Sequence, residues 1–327
     1  MKQGPGLALL LIIAWLLVSC GGPDPSTEAT NLVPANANLI AQIQVSRIME
    51  DADIQSLYQM APKGPDKPQS LDELLAKAQL ETGIDFRRFT TVKLFSDVTR
   101  NDEYFGVIAH GPVNEQLLIA ALSASGEIAV STVEYQGVQV HIAESEEKEP
   151  AFAVLDRNTT VMGTLLAVQD VIDLQQGNLA GISGPLYDAF NDLGTPLVSL
   201  AATIPPETLA GVADSMGGDQ GFGMIPAMGS LHDITVMAVL IDKIGQDLRV
   251  ETRLDFVNAD AATGMGNSLS GLINFATSFS SDASVQYLLE KLELSVESNT
   301  VKLSFQAPVS ELEEVSQAME QDPGGDY

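Results

Sequence analysis

Between Leu292 and Phe305 the apolar residues recur at every second position. Leu292, Leu294, Val296, Val301, Leu303 and Phe305 take one face, and Glu293, Ser295, Glu297, Lys302 and Ser304 take the other. Successive side chains of a strand point to opposite faces, so this pattern describes a hairpin with one side in a core and the other in water. Strands of a parallel sheet, covered on both faces, run as unbroken apolar stretches instead. The fold expected is therefore α+β, with antiparallel sheets and helices packed on one face, rather than a doubly wound parallel sheet.

The same grammar extends backward through the chain. Leu39, Ala41, Ile43 and Val45 alternate with Ile40, Gln42 and Gln44, which predicts a half-buried strand over 39–45, followed by a helix over 48–60. Ser70 and Glu73 form a capping-box signature ahead of Leu71, Leu74, Leu75 and Ala78. Two short strands are expected at 91–95 and 104–110, then a helix over 114–123. Hairpins follow at 130–134 with 138–142 and at 152–155 with 160–163, the first turning on Tyr135-Gln136-Gly137, and a helix over 165–175 comes next. From Leu197 the order strand, helix, hairpin, helix, hairpin, helix returns. The helix there starts at Pro206, and the last helix is introduced by Ser310 and Glu313. Two similar tandem halves are expected, at 32–183 and 184–320, with 321–327 as an unstructured tail.

The first thirty residues carry a different message. An apolar run from Leu7 to Val18 follows the single basic residue Lys2 and is shorter than the ~20 residues a spanning helix needs. It closes on Leu17-Val18-Ser19-Cys20, which resembles the lipobox of bacterial lipoproteins. That resemblance implies cleavage before Cys20 and acylation of its sulfur. On this reading 1–19 is a signal peptide, Cys20 is the lipidation site with Leu17, Val18 and Ser19 recognised ahead of it, and 20–31 is a flexible tether rich in Gly, Pro, Ser and Thr. The partner so implied is a lipid bilayer, and the place is the cell envelope outside the cytoplasm. The alternatives are an ordinary secretory signal with an incidental cysteine, or an uncleaved anchor. Because Cys20 is the chain's only cysteine, the folded body can have no disulfide and no catalytic or metal-binding thiolate.

A second resemblance rests on Pro34-Ala35-Asn36-Ala37 before a strand, Thr82-Gly83-Ile84-Asp85, Glu134-Tyr135-Gln136-Gly137-Val138 and Ala153-Val154-Leu155-Asp156. Together these look like an uncharacterised family of bacterial extracytoplasmic proteins, a domain of unknown function that is often exported or lipid-anchored. The likeness covers about 32–205, and its motifs are turns and strand starts. It implies a fold type and an envelope location but brings no catalytic residue.

Charge excludes one class of partner. With 16 Lys and Arg against 44 Asp and Glu, and a net charge of −28, the surface repels phosphate backbones, so nucleic acid is not expected as a partner. Chemistry is sparse elsewhere. His110, His141 and His232 lie on or beside strands with no zinc-like spacing, and His141 is expected on the polar face of its hairpin. Asp51-Ala52-Asp53 falls short of a calcium loop, since the later ligands and the central glycine are missing. The acidic stretch Glu144 to Glu149 is expected as a solvated tip, with weak divalent-cation binding as the sharper alternative. Gly264-Met265-Gly266 is explained by close helix packing better than by phosphate binding. Met216, Phe222, Met224, Ile225 and Met228 stand among five glycines, which combines hinge freedom with adaptable apolar groups. They are the candidate partner or ligand loop, or else an irregular cover on the core. No cofactor is expected. The function expected is a non-enzymatic binding or scaffold module of the envelope, with a carrier of an apolar ligand such as lipid, or a hydrolase with a dispersed acidic site, as alternatives.

Overall fold

The computed structural model describes residues 32–60, 68–82, 84–100, 103–124, 129–144, 150–203, 232–280 and 282–321. The lipobox residues Leu17 to Cys20 and the glycine-rich stretch with Met216, Phe222, Met224, Ile225 and Met228 lie outside the described residues. So do most of the acidic stretch after Glu144 and the helix expected at Pro206. The chain divides into two compact units, Met1–Gly184 and Pro185–Tyr327.

In the first unit the strands are β1 (Leu39–Ile43), β2 (Thr91–Ser96), β3 (Phe105–His110), β4 (Ala129–Tyr135), β5 (Val138–Glu144), β6 (Pro150–Val154) and β7 (Thr159–Thr164). They pair antiparallel in the order β1-β2-β3-β7-β6-β5-β4. The helices are α1 (Val45–Glu50), α2 (Ala52–Met60), α3 (Leu71–Thr82), α4 (Glu115–Ala124) and α5 (Leu165–Gln175). In the second unit α6 (Pro185–Asn191) precedes β8 (Val198–Ala202), β9 (Ile234–Ile244) and β10 (Asp247–Phe256). After these come α7 (Ala259–Phe279), α8 (Ala283–Glu290), β11 (Leu292–Glu297), β12 (Thr300–Pro308) and α9 (Val309–Gln321). The strand order is β8-β9-β10-β12-β11, again antiparallel throughout.

The two units share a plan. In each, a lone strand pairs with a hairpin, a helix follows, and the second strand of a later hairpin pairs back onto the first hairpin, β7 on β3 and β12 on β10. A closing helix ends each round. The first unit adds the hairpin β4-β5 at its far edge. This is an α+β fold of two similar tandem halves, built from antiparallel sheets with helices packed against them.

The helix expected over 48–60 is two helices, and the reason is Asp51. Its carboxylate accepts from the backbone N–H of Asp53 at 3.0 Å and of Ile54 at 3.2 Å, so it caps a new helix instead of continuing the old one. The Asp-x-Asp motif is thereby spent on a helix start. The strand expected to reach Val45 stops at Ile43, because Val45 and Ile48 turn inward as the buried side of α1.

Both cores follow from strand alternation and helix periodicity. In α5, Ala167, Val168, Val171 and Ile172 are buried against β7, β6, β5 and β3. Two tyrosines hold the same helix, with Tyr104 donating to Asp170 Oδ2 at 2.7 Å and Tyr135 to Asp173 Oδ2 at 2.8 Å. Burial, then the Asp170 carboxylate, pushes the Tyr104 phenol well above its ordinary range. Gly106 faces the fully buried Phe95 across the β2-β3 pair, and any Cβ there would meet the ring at 2.2 Å. Asn258 caps α7 by accepting from the Ala261 N–H at 2.9 Å. Ala262 and Met265 of that helix join Ile234, Phe256 and Val301 in the second core. Gly266 lets α7 approach the sheet, since a Cβ would meet Val296 at 2.3 Å, which is the packing role expected of Gly264-Met265-Gly266. Among the described residues no helix is long and apolar enough to cross a membrane.

The first unit closes on itself. Ile182 N–H donates to Val33 C=O at 2.8 Å, and Pro34 bridges Gly181 antiparallel, so the chain leaves the unit beside the point where it entered.

Candidate functional site

The most organised polar site lies on the sheet of the second unit. Period-two alternation places Arg249, Glu251 and Arg253 on one face of β10, with Val250, Thr252 and Leu254 on the other. The register sets Arg253 opposite Lys302, Glu251 opposite Ser304 and Arg249 opposite Gln306 on β12. Beyond these, Glu293 on β11 stands opposite Ser304. Three cations therefore surround one carboxylate. Arg253 Nε donates to Glu251 Oε1 at 2.6 Å, Lys302 Nζ to Oε2 at 3.0 Å, and Arg249 Nη2 makes a very short contact to the same Oε2.

Glu251 has 0% exposure, whereas the side chains of Arg249, Arg253 and Lys302 are 31%, 28% and 35% exposed. The cover over the carboxylate is thus made of long cationic side chains, which keep their heads partly wet while shielding the oxygens. Burial alone would raise the Glu251 proton affinity. Hydrogen bonds from Arg253, Arg249 and Lys302 outweigh it and hold the group at about 2, so it is ionised throughout the physiological range.

Arg249, Glu251 and Lys302, but not Arg253, line a groove of about 640 Å³ together with Ser304, Lys291, Glu290, Asp247, Glu293, Gln306 and Pro308, so four carboxylates face three cations in it. Lys291 pairs with Glu311 at 3.6 Å and lies 5.0 Å over the Tyr287 ring, whose hydroxyl donates to the same Glu311 carboxylate. Asp247 accepts from the Gln306 amide at 2.8 Å. Volume of this order suits a small ligand or a peptide segment.

No family model matches this chain, and no curated protein matches it. Its likeness is to solved structures. Crystal forms III and I of TP0453 each align at 12% identity with a TM-score of 0.49, over 90% of this chain and 99% of that one. Crystal form IV of TP0453 aligns at 10% identity with a TM-score of 0.47, over 87% of this chain and 94% of that one.

The residues singled out in the sequence do not converge on this groove. His141 is buried rather than on a wet polar face. Its Nδ1 lies 2.8 Å from Thr132 Oγ1, its Nε2 lies 2.5 Å from Glu115 Oε1, and its ring stacks on Phe152 with centroids 4.7 Å apart. It pins the first turn of α4 to the β4-β5 hairpin, a structural role. His110 lies on β3 within 3.5 Å of Thr159 Oγ1. Burial, then the neighbouring Lys93 ammonium, lowers its proton affinity. His232 is exposed ahead of β9. Among the described residues no group of three or more His, Cys, Asp or Glu side chains could hold a metal ion.

Sequence reasoning passed over Arg249, Glu251, Arg253 and Lys302. The signal was the Arg-x-Glu-x-Arg alternation on one strand, followed by a lone Lys on the polar face of the last hairpin. The pairing of β10 with β12, which joins them, is a tertiary fact.

Proposed function

We propose that this chain is a lipid-anchored, extracytoplasmic binding or scaffold module of the cell envelope that performs no chemical step. The observation that carries the reading is the state of Glu251. A carboxylate held ionised down to about pH 2 by three cations neither gives nor takes a proton near neutrality, so it cannot serve as a general acid or base. It fixes a pattern of charge on the floor of an open groove, which is the equipment of recognition. The Leu17-Val18-Ser19-Cys20 lipobox adds the anchor, and acylation by two or more chains gives stable attachment where one chain is marginal. In an envelope with two membranes, the absence of Asp immediately after Cys20 favours the outer one.

The apolar-carrier alternative rests on Met216 to Met228, outside the described residues. Among those described, its support is the exposed Phe275 and Phe279 pair on α7, with ring centroids 4.3 Å apart. Intact-mass measurement of membrane-extracted protein tests the anchored reading. A mature chain beginning at acylated Cys20 is expected, with Cys20→Ala released into the soluble fraction. A retained Met1 or a free Cys20 thiol overturns it.

A further inference from the structure

The geometry points to the outer edge of β11 as a docking strand for an extended peptide segment of a partner protein, one that alternates apolar and basic side chains. This names a partner class for the recognition surface described above and rests on that reading.

The first argument is the backbone. β11 ends the strand order of the second unit and pairs with β12 alone. The two strands join through the two-residue turn Ser298-Asn299, so Glu297 and Thr300 form a hydrogen-bonded pair. In an antiparallel ladder such pairs alternate with non-bonded ones. Ser295 and Glu293 therefore also bond β12, and the N–H and C=O groups of Leu292, Leu294 and Val296 point away from it. Among the described residues nothing pairs with those groups. Natural edge strands are blunted by Lys, Pro, a bulge or a cover. β11, Leu-Glu-Leu-Ser-Val-Glu, contains neither Lys nor Pro, and its register with β12 runs without a break. Three ladder positions thus stand open, which is the template that β-augmentation uses.

The second argument is what each face of that edge asks of an added strand. Glu293, Ser295 and Glu297 are all exposed on the wet face. The groove reaches this strand through Glu290, Lys291 and Glu293, and with four carboxylates against three cations the charge it lacks is a further cation. On the other face Leu292 and Leu294 are half-buried and Val296 is 40% exposed. An antiparallel strand laid about 4.8 Å outside β11 would set its bonded residues opposite Leu292, Leu294 and Val296, on the apolar face. Its intervening residues would stand opposite Glu293, Ser295 and Glu297, on the wet face. The complement is therefore apolar at the first set and Lys or Arg at the second, since opposite charges attract across strands and like charges repel.

The third argument selects this edge and this occupant. β4, the outer strand of the first unit, carries one charged side chain, Glu134, and so favours no class of peptide by charge. Pairing of two copies of the chain is opposed by the net charge of −28 on each, whereas a basic segment is drawn to it.

The test uses the full-length protein in detergent and fluorescence anisotropy with the labelled peptide Lys-Val-Arg-Val-Lys-Val. The controls are Glu-Val-Glu-Val-Glu-Val and Lys-Lys-Arg-Val-Val-Val, the second of which keeps the composition and breaks the alternation. The alternating basic peptide is expected to bind about tenfold or more tighter than either. N-methylation of its valines, whose N–H groups would face β11, is expected to abolish binding. N-methylation of its Lys and Arg, whose N–H groups would face away, is expected to leave it. Glu293→Lys combined with Glu297→Lys changes exposed side chains alone and should weaken binding by about tenfold or more. Val296→Pro removes one outward N–H and spares the β12 ladder, as Pro is accepted on an edge strand. It should lower affinity by a similar factor with an unchanged circular dichroism spectrum. No binding of the alternating peptide overturns the inference, as does equal binding of the alternating and block peptides or of the two N-methylated forms. Unchanged affinity in the double glutamate variant overturns it as well. A dimer in sedimentation that Val296→Pro dissolves would assign the edge to a second copy instead, against the inference. The anchored reading fails separately, on the mass and partitioning of Cys20.

Discussion

Replacing Glu251 by Gln keeps the shape of the side chain and removes the charge that three cations share, so it isolates the electrostatic worth of the network. The carboxyl stands at about 2 in the fold against an ordinary value of 4.5. Each unit corresponds to 1.36 kcal/mol, so the network contributes about 3 kcal/mol to stability near neutral pH, an order-of-magnitude figure. The sign follows from a depressed acid. The folded state binds the proton less well than the unfolded chain, so the contribution is complete above about pH 4.5 and is lost as pH falls through 2. Urea unfolding of wild type and Glu251→Gln across pH 2–7, followed by far-ultraviolet circular dichroism, should show a gap of about 3 kcal/mol at pH 6–7 that closes towards pH 2. The gap should survive 1 M salt in large part, because the oxygens are covered and screening acts mainly on exposed pairs. A gap that is constant with pH would mean that Gln disturbs packing rather than charge, and the reasoning would fail. No gap at all would mean that the cost of burying the carboxylate cancels its hydrogen bonds.

Lys93 tests the opposite sign. Burial lowers its amine from 10.5 to about 8, so the folded state sheds its proton before the unfolded chain does, and stability rises between pH 8 and 10.5 by up to about 3 kcal/mol. Lys93→Met should flatten that rise and, by removing the adjacent positive charge, move the His110 titration upward in NMR; an unmoved His110 would deny the coupling. Gly106→Ala should cost about 1–3 kcal/mol by forcing a methyl into the buried Phe95 ring, seen as a lowered thermal midpoint and relieved by a second change, Phe95→Leu.

The hairpins β4-β5, β6-β7 and β11-β12 and the helices α4, α5 and α7 are legible in the sequence, because each is bounded by local signals. These are the Tyr135-Gln136-Gly137 turn and apolar spacing at 2 or 3.6, and the structure adds side-chain caps at Thr164 and Asn258. The break at Asp51 is not legible from periodicity, since apolar spacing runs on across it while a side-chain cap decides the matter. Nor is the return of β7 to β3 or of β12 to β10, which joins segments some fifty residues apart through packing rather than local preference. The groove inherits that limit. Arg249, Glu251 and Arg253 look like ordinary wet-face residues until the register places Lys302 beside them. His141 shows the converse. Its hairpin partner residues are polar, so alternation assigns it to water, yet Glu115 from a distant helix and the Phe152 ring enclose it.

The pairing of Val33 with Ile182 and of Pro34 with Gly181 has a mechanical side. Because entry and exit of the first unit are adjacent and antiparallel, tension between the chain before Val33 and the chain after Gly184 loads these contacts one at a time, as a zipper is opened, rather than together in shear. The first unit is therefore a cassette hung on a weak clasp. Two contacts opened in sequence resist an end-to-end pull less than the paired strands of the sheet would in shear.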